Sequence, residues 1–323
     1  MPKAVRYHKQ GGPEVLQVDE LPVGEPGPGQ VRIRHTAIGV NFVDTYQRSG
    51  LYPMQLPQVA GNEGAGVVEA VGPNVTELKK GDRIAYTGLP GSYCEARLVP
   101  ADRMVKLPEG VTEEQAASMM LKGLTVHYLI HSTYPVKSGE TVLWHAAAGG
   151  VGLIACQWLK ALGATTIGTA GSDEKTALAK AHGAHHVVNY STENFVERVK
   201  SITGGKGVPV VYDGVGKATW DGSLDCLRPR GLIASFGNAS GPVPPVNLGI
   251  LSTKGSLYVT RPTLATHIAS RADLVERSNS LFEVVKSGRV KIETTKRYKL
   301  ADAQAAHRDL EGRKTTGSVV LIP

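Results

Sequence analysis

Residues His145-Ala-Ala-Ala-Gly-Gly-Val-Gly152 close an apolar run and open an amphipathic one. The preceding Thr141-Val-Leu-Trp144 is short, apolar and rich in strand formers, as a buried parallel strand should be. The following residues place Val151, Ile154, Ala155, Trp158, Leu159 and Leu162 on one helical stripe that stops at Gly163. Strand, glycine turn and helix in that order form a unit that cradles phosphate. Gly149 lets the backbone approach a pyrophosphate, Gly152 lets the helix pack close to its strand, and the N–H groups of the helix N-terminus face the anion. The pattern is A-x-G-x-x-G, because Ala147 stands where the first glycine is usual. A glycine triplet alone says little in a chain with 38 glycines among 323 residues. Its strand-to-helix setting is what points to a dinucleotide.

Working outward, six short strands alternate with helices between about Thr112 and Thr260. They fit at Thr141–Trp144, Thr165–Thr169, His186–Tyr190, Val208–Tyr212, Leu232–Phe236 and Ser256–Thr260. That alternation predicts a doubly wound parallel sheet. Before Val111 the texture is all-β, with strands at Val31–Arg34, Gly66–Val71, Gly81–Tyr86 and Ala96–Val99 punctuated by glycine and proline. After Arg261 the chain is helix-rich and ends in the apolar Gly317-Ser-Val-Val-Leu-Ile322. The expected class is therefore α/β, a nucleotide-binding domain inserted into a partly open β-barrel. Residues 121–260 form the insert, with 1–120 and 261–323 as the two parts of the host domain.

Composition agrees with a globular enzyme: 41% of residues are hydrophobic and 20% charged, which excludes disordered and fibrous classes. No apolar run reaches the ~20 residues that span a bilayer, and the N-terminus lacks a signal-peptide core. Three scattered cysteines, Cys94, Cys156 and Cys226, fit a reducing, cytoplasmic setting, with Cys156 on the apolar helix read as inert core or helix flank. A net charge of +7 suits an anionic ligand and would equally permit weak adhesion to nucleic acid. No aromatic-plus-glycine RNA motif or concentrated basic stripe accompanies that charge, which argues against an RNA-binding role.

The chain resembles the medium-chain dehydrogenase/reductase superfamily over essentially its whole length, and within it the zinc-independent quinone oxidoreductases of ζ-crystallin type. The segments that carry this resemblance are Gly11–Leu16, Ala37-Ile-Gly-Val-Asn-Phe-Val-Asp-Thr-Tyr46, Arg48–Tyr52, Leu121-Lys-Gly-Leu-Thr125 and His145–Gly152. It continues through Asn189-Tyr190, Tyr212-Asp-Gly-Val-Gly216, Phe236-Gly-Asn238 and Tyr258-Val-Thr-Arg-Pro262. The resemblance implies a GroES-like substrate domain built from the N- and C-terminal segments, a cofactor in the cleft between domains, and a homodimer joined through the nucleotide domain.

Zinc-dependent members carry a cysteine, a histidine and a third ligand around their metal. This chain reads Gly39-Val-Asn41 and Gly61-Asn-Glu63 at the first two positions, and Leu121-Lys-Gly123 brings no cysteine. Neutral amides are poor zinc ligands, so no metal is expected. The cluster His182, His185 and His186 spans a helix end and a strand start with no cysteine nearby, and is not read as a metal site either.

Without a Lewis acid, the chemistry expected is reduction of an acceptor that is already electron-poor. The resemblance assigns Asn41, Tyr46 and Tyr52 to the catalytic pocket; a tyrosine offers a flat face to a quinone ring and a hydroxyl to its carbonyl oxygen. The bland reading of the two tyrosines is core or rim packing. Asp44 is read as orienting them or donating protons indirectly, or else as a charge at a helix N-terminus, and not as the catalytic acid.

The resemblance further implies cofactor contacts at Asn41, Thr125, Tyr128, Gly149, Gly150, Val151, Gly152, Val215, Phe236, Gly237, Asn238 and Ser240. A 2′-phosphate would be held by Gly171, Ser172, Lys175, Tyr190 and Arg313. An NAD enzyme needs an acid at the tip of the second strand, about 20 residues beyond the glycine turn. Here Ser172 reads as a helix cap, with Asp173 and Glu174 in the first helical turn, which favours NADP(H). The expected activity is NADPH-dependent quinone reduction. The alternatives are NADPH-dependent reduction of activated C=C bonds in enals or enones, and an NADPH-binding regulatory or RNA-binding protein.

Overall fold

Six parallel strands run side by side in the order His186–Asn189, Thr165–Ala170, Thr141–Trp144, Val208–Asp213, Leu227–Ser235, Tyr258–Thr260 in the computed structural model, which describes residues 1–323. The first strand in sequence is therefore central and the winding reverses beside it, where an open α/β sheet offers its crevice at the strands' carboxyl ends. The three strands at the middle of this sheet are almost wholly buried, as strands of a parallel sheet are. Leu143, Ile167, Val188, Val211 and Ile233 are all 1% exposed or less. The fifth strand starts earlier than its apolar run suggests, at Leu227, and the sixth is only three residues long.

Helix Gly150–Ala161 follows the glycine turn and buries Ile154, Ala155, Trp158 and Leu159 as its stripe predicts, leaving Val151 and Leu162 half-buried. Cys156 is fully buried on this helix, where burial pushes its thiol up to about 12 and leaves it inert. This unit comprises Thr125–His267 and Ser287–Lys291. It runs past 260 and takes back a short later segment, because the Gln157 amide pairs with both backbone groups of Lys291, at 3.1 and 2.8 Å.

The other unit, the first in chain order, comprises Met1–Leu124, Ile268–Lys286 and Ile292–Pro323. Its larger sheet follows the order Thr294–Lys299, Ser318–Ile322, Gln30–Val40, Glu63–Val71, Arg83–Thr87, Val105–Lys106, with Ala96–Pro100 also pairing to Gln30–Val40. A three-stranded sheet of Gln17–Glu20, Lys3–Tyr7 and Gln58–Val59 joins it through a bridge between Ala4 and Cys94. The strands do not close into a barrel. Strand Gln30–Val40 alternates inward Val31, Ile33 and His35, then becomes wholly buried over Ala37–Val40. That buried end delivers Asn41 to a helix N-terminus.

Candidate active site

In the first unit, helix Phe42–Ser49 begins at Asn41, and Asp44 reaches back to accept the Asn41 backbone N–H at 2.8 Å. This is half of a capping box, and it places a carboxylate in the positive first turn. Asp44 is nevertheless 1% exposed, and burial pushes its carboxyl up to about 6 against hydrogen bonds from Asn62, the Asn41 backbone and Tyr93. Of the readings of Asp44, the charge at a helix N-terminus describes its geometry.

The two tyrosines meet. Tyr46 and Tyr52 are half-buried, with ring centroids 5.3 Å apart at 67°, and the Tyr52 N–H bonds the Tyr46 carbonyl at 3.0 Å. An edge-to-face pair of this kind presents one ring face beside another ring's edge. Asn41 stands at the head of the same helix, so the three residues assigned to the pocket share one helix and the turn after it.

Both amides at the would-be zinc positions are engaged. Asn41 Nδ2 donates to Glu63 Oε2 at 2.8 Å, and Asn62 Nδ2 donates to Asp44 Oδ1 at 2.8 Å and to Gln47 Oε1 at 2.7 Å. Glu63 is fully buried; it also accepts the Leu121 N–H at 2.7 Å and faces Lys122 Nζ at 3.5 Å. Burial pushes the Glu63 carboxyl up, while Lys122 and the hydrogen bonds pull the other way. No group of three or more His, Cys, Asp or Glu side chains is placed to hold a metal ion. His182 Nδ1 bonds the Leu178 carbonyl at 2.8 Å and His185 Nδ1 accepts the Thr166 N–H at 3.2 Å, so these rings serve their own helix end and strand.

Sequence reasoning missed a second buried network beside Asp44. Tyr93 Oη donates to Asp44 Oδ2 at 3.0 Å and therefore accepts from His307 Nε2 at 3.0 Å. His307 Nδ1 then accepts from Arg48 Nη1 at 2.9 Å, and Arg48 forms a bidentate pair with Glu311 at 2.6 and 3.2 Å. Burial pulls His307 down to about 3, so it works as a neutral ring. The signal in the sequence was a lone arginine in a helix whose other inward residues are small or polar.

In the second unit, the turn leaves the carboxyl end of Thr141–Trp144 as expected. Gly149 is the N-cap of the helix, and a Cβ there would meet only the Ala146 carbonyl, at 3.3 Å. Its outer side is thus open to an approaching phosphate. A Cβ on Gly152 would lie 2.5 Å from the Ala146 oxygen and 2.6 Å from that of Ala147, so close packing of turn and helix requires glycine there. Ala147 is accommodated because Gly168 lies opposite, where a Cβ would be 2.6 Å from the Ala147 methyl.

At the second strand's tip, Ser172 caps helix Asp173–Ala181 by accepting the Lys175 N–H at 3.2 Å, which uses a lone pair and not the hydroxyl proton. Asp173 accepts from Asn189 Nδ2 at 2.8 Å and is turned to the neighbouring strand. A Cβ on Gly171 would lie 2.5 Å from the Tyr190 hydroxyl, so Tyr190, 46% exposed, stands directly beside the strand tip. Small residues, a hydroxyl and Lys175 nearby suit a phosphate better than a ribose diol. Arg313 belongs to the first unit, exposed and left-handed at φ 57° after helix Ala303–Glu311.

Beyond the fourth and fifth strands, the Ser240 N–H and Oγ both donate to the Val215 carbonyl at 2.8 Å, tying two loops together. Phe236 packs on Trp144 with centroids 5.7 Å apart. Thr125 and Tyr128 are buried, and Tyr128 stacks on His267 at 4.3 Å and 5°.

The chain matches two family descriptions, an alcohol dehydrogenase GroES-like domain over residues 27–109 and a zinc-binding dehydrogenase over residues 150–275. It is 55% identical to the quinone oxidoreductase of Pseudomonas aeruginosa over the full length of both. It is 48% identical to a 2-haloacrylate reductase of a Burkholderia species, over 100% of this chain and 99% of that protein. It superposes on the crystal structure of Escherichia coli quinone oxidoreductase complexed with NADPH with a TM-score of 0.98 at 52% identity, covering 99% of this chain and 100% of that one. Fold and site define a nucleotide-dependent oxidoreductase whose zinc-ligand positions carry amides. The chain belongs to the zinc-independent quinone oxidoreductases of the medium-chain dehydrogenase/reductase superfamily.

Proposed function

We infer that this chain is an NADPH-dependent quinone oxidoreductase. The observation that carries the reading is the state of the would-be zinc site: Asn41 and Asn62 spend their amides on Glu63, Asp44 and Gln47. No Lewis-acid site is built there to polarise an alcohol or aldehyde. A quinone needs none, since its ring accepts a hydride once it is oriented. When bound, NADPH supplies that hydride.

The protein's own part is positional. Gly149, Gly150, Val151 and Gly152 receive the pyrophosphate, while Gly171, Ser172, Lys175, Tyr190 and Arg313 receive the 2′-phosphate. Thr125, Tyr128, Val215, Phe236, Gly237, Asn238 and Ser240 line the remainder of the cofactor. Tyr46 and Tyr52 hold the quinone ring, and Asn41 contacts both acceptor and cofactor. The exposed edge strand Tyr258–Thr260, with Tyr258 60% and Val259 41% exposed, serves as contact with a second copy. No helix is long and apolar enough to cross a membrane, and a cytoplasmic setting accords with three unpaired, buried cysteines.

The full-length likeness to a 2-haloacrylate reductase favours one second reading, reduction of an activated C=C bond on the same scaffold. Anaerobic incubation of the protein with NADPH and a quinone tests the first: it yields hydroquinone and NADP+ in equal amounts. No quinone-dependent loss of NADPH would refute it.

A further inference from the structure

Beneath the glycine turn lies a buried chain of polar groups. Asp213, Ser223, His145 and Thr169 are all 1% exposed or less. A carboxylate only accepts, so the Ser223 hydroxyl gives its proton to Asp213 Oδ2 at 2.8 Å. Ser223 Oγ must then accept from His145 Nε2 at 2.9 Å. That leaves His145 Nδ1 without a proton, and it accepts from Thr169 Oγ1 at 3.0 Å. Thr169 Oγ1 in turn accepts the Ala146 backbone N–H at 3.3 Å. Every proton points the same way, from the turn toward Asp213, and His145 is the neutral Nε2–H tautomer. Burial pulls its imidazole below the usual range, against a smaller opposing pull from Asp213.

The two ends of this chain are both loops assigned to the cofactor. At one end Ala146 is held at φ 54°, a left-handed conformation that crowds the Cβ of an L-residue. Such a residue persists only where its surroundings hold it. Its carbonyl bonds the Gly149 N–H at 3.0 Å and abuts the helix at Gly152. Rotating the peptides around Ala146 would therefore move the phosphate-facing turn. At the other end Asp213 Oδ1 accepts the N–H groups of Val215 at 2.8 Å and Gly216 at 3.0 Å, and Oδ2 also accepts from Thr219 Oγ1 at 2.7 Å. One imidazole thus spans the gap between the first and fourth strands' loops, with Phe195 edge-on against it at 5.1 Å and 87°.

We propose that His145, with Thr169 and Ser223, is a positioning relay that fixes the turn Ala146–Gly149 and the loop Asp213–Gly216 in one geometry, so that NADPH affinity depends on side chains that never touch it. The proposal rests on the reading of the glycine turn as the pyrophosphate cradle.

The test is a fluorescence titration of the folded protein with NADPH, alongside a melting curve. Thr169→Val keeps the shape and removes both hydrogen bonds of the hydroxyl; it raises the Kd for NADPH about ten-fold, the scale of one lost hydrogen bond. Thr169→Ser restores the bonds and brings the Kd back to within about two-fold of the original. A core cluster with no positioning role gives a lower melting temperature and an unchanged Kd in Thr169→Val, and that overturns the relay. Should the valine variant not fold, Ser223→Ala is read in the same titration: a Kd at least about three-fold higher supports the relay, and an unchanged one overturns it. Gly149→Val separates the two readings. Lost NADPH binding upholds the cradle whatever Thr169→Val does, and unchanged binding refutes the cradle itself. In 15N-histidine-labelled protein the relay further requires His145 as the Nε2–H tautomer, and an Nδ1–H signal contradicts it.

Discussion

Asn41 Nδ2 donates to Glu63 Oε2 at 2.8 Å, in a corner that Gly39 keeps open, since a Cβ on Gly39 would collide with the same oxygen. The amide at a would-be cysteine position is thereby locked to a buried carboxylate, and that carboxylate is balanced by Lys122 at 3.5 Å. A buried charge survives only when paired and hydrogen-bonded, and Glu63 has both kinds of partner. The zinc site has been replaced by a closed polar cluster with its own internal balance.

Activity should therefore survive exhaustive chelation. Metal analysis of the purified protein should find no stoichiometric zinc, and turnover after dialysis against a chelator should equal that before. Zinc that copurifies one per chain, and whose removal stops turnover, would contradict this.

The contact between Tyr46 and Tyr52 makes the pocket assignment testable. Tyr52→Ala and Tyr46→Ala should each lower kcat/KM for quinones about ten-fold or more while the Kd for NADPH stays near that of the unchanged protein. If the rings only pack against each other, both variants lose melting temperature and keep their specific activity.

Lys175 stands in the first turn after the Ser172 cap, and Tyr190 lies against the neighbouring Gly171. A charge-assisted contact to phosphate contributes roughly 1.5–3 kcal/mol, so Lys175→Ala should cut the preference for NADPH over NADH by about 10- to 150-fold. Arg313→Ala should act in the same direction but less, because it is exposed on the segment after its helix. The measurement is the ratio of kcat/KM for the two cofactors. A starting preference for NADH would instead make Asp173 the ribose-binding acid.

Much of this was legible before the fold was seen. The glycine turn, the six strands and the Ser172 cap each follow from neighbours within a few residues, where periodicity and capping chemistry speak. The buried networks are different in kind. His145 reaches Thr169 across 24 residues and Ser223 across 78, and Tyr93 reaches His307 across 214. No period links such residues; the packing of helices and loops onto the ordered strands brings them together. Lys122 and Glu63 were visible as motif letters but not as a pair, because a charge in an apolar run shows only that a partner is needed.

Stability should carry the mark of Asp44. Its carboxyl titrates at about 6 when folded and near 3.8 when exposed, so between those values the folded chain holds the proton more tightly. Its contribution to stability therefore falls as pH rises from about 4 to about 6, by at most ~3 kcal/mol, and the full cost of the bare charge is present above that range. His35 and His307, both pulled down to about 3, have the opposite sign: the unfolded chain binds their protons, and stability rises with pH between about 3 and about 6.5. Asp44→Asn separates the two. Hydrogen-bond loss makes it less stable at pH 4, and it should recover ground on the unchanged protein as pH rises to 7. A stability difference that stays flat from pH 4 to 7 in urea unfolding would exclude this role for Asp44.

The most direct measurement is the steady-state kcat/KM with NADPH for a panel of 1,4-benzoquinones, 1,4-naphthoquinones, enones and 2-haloacrylate. Quinones should be turned over with the highest values, at least about ten-fold above any C=C substrate, because a ring oriented against the Tyr46–Tyr52 pair needs no polarising group to accept a hydride. A panel in which enones or 2-haloacrylate exceed every quinone would contradict the account and make the chain a reductase of activated double bonds.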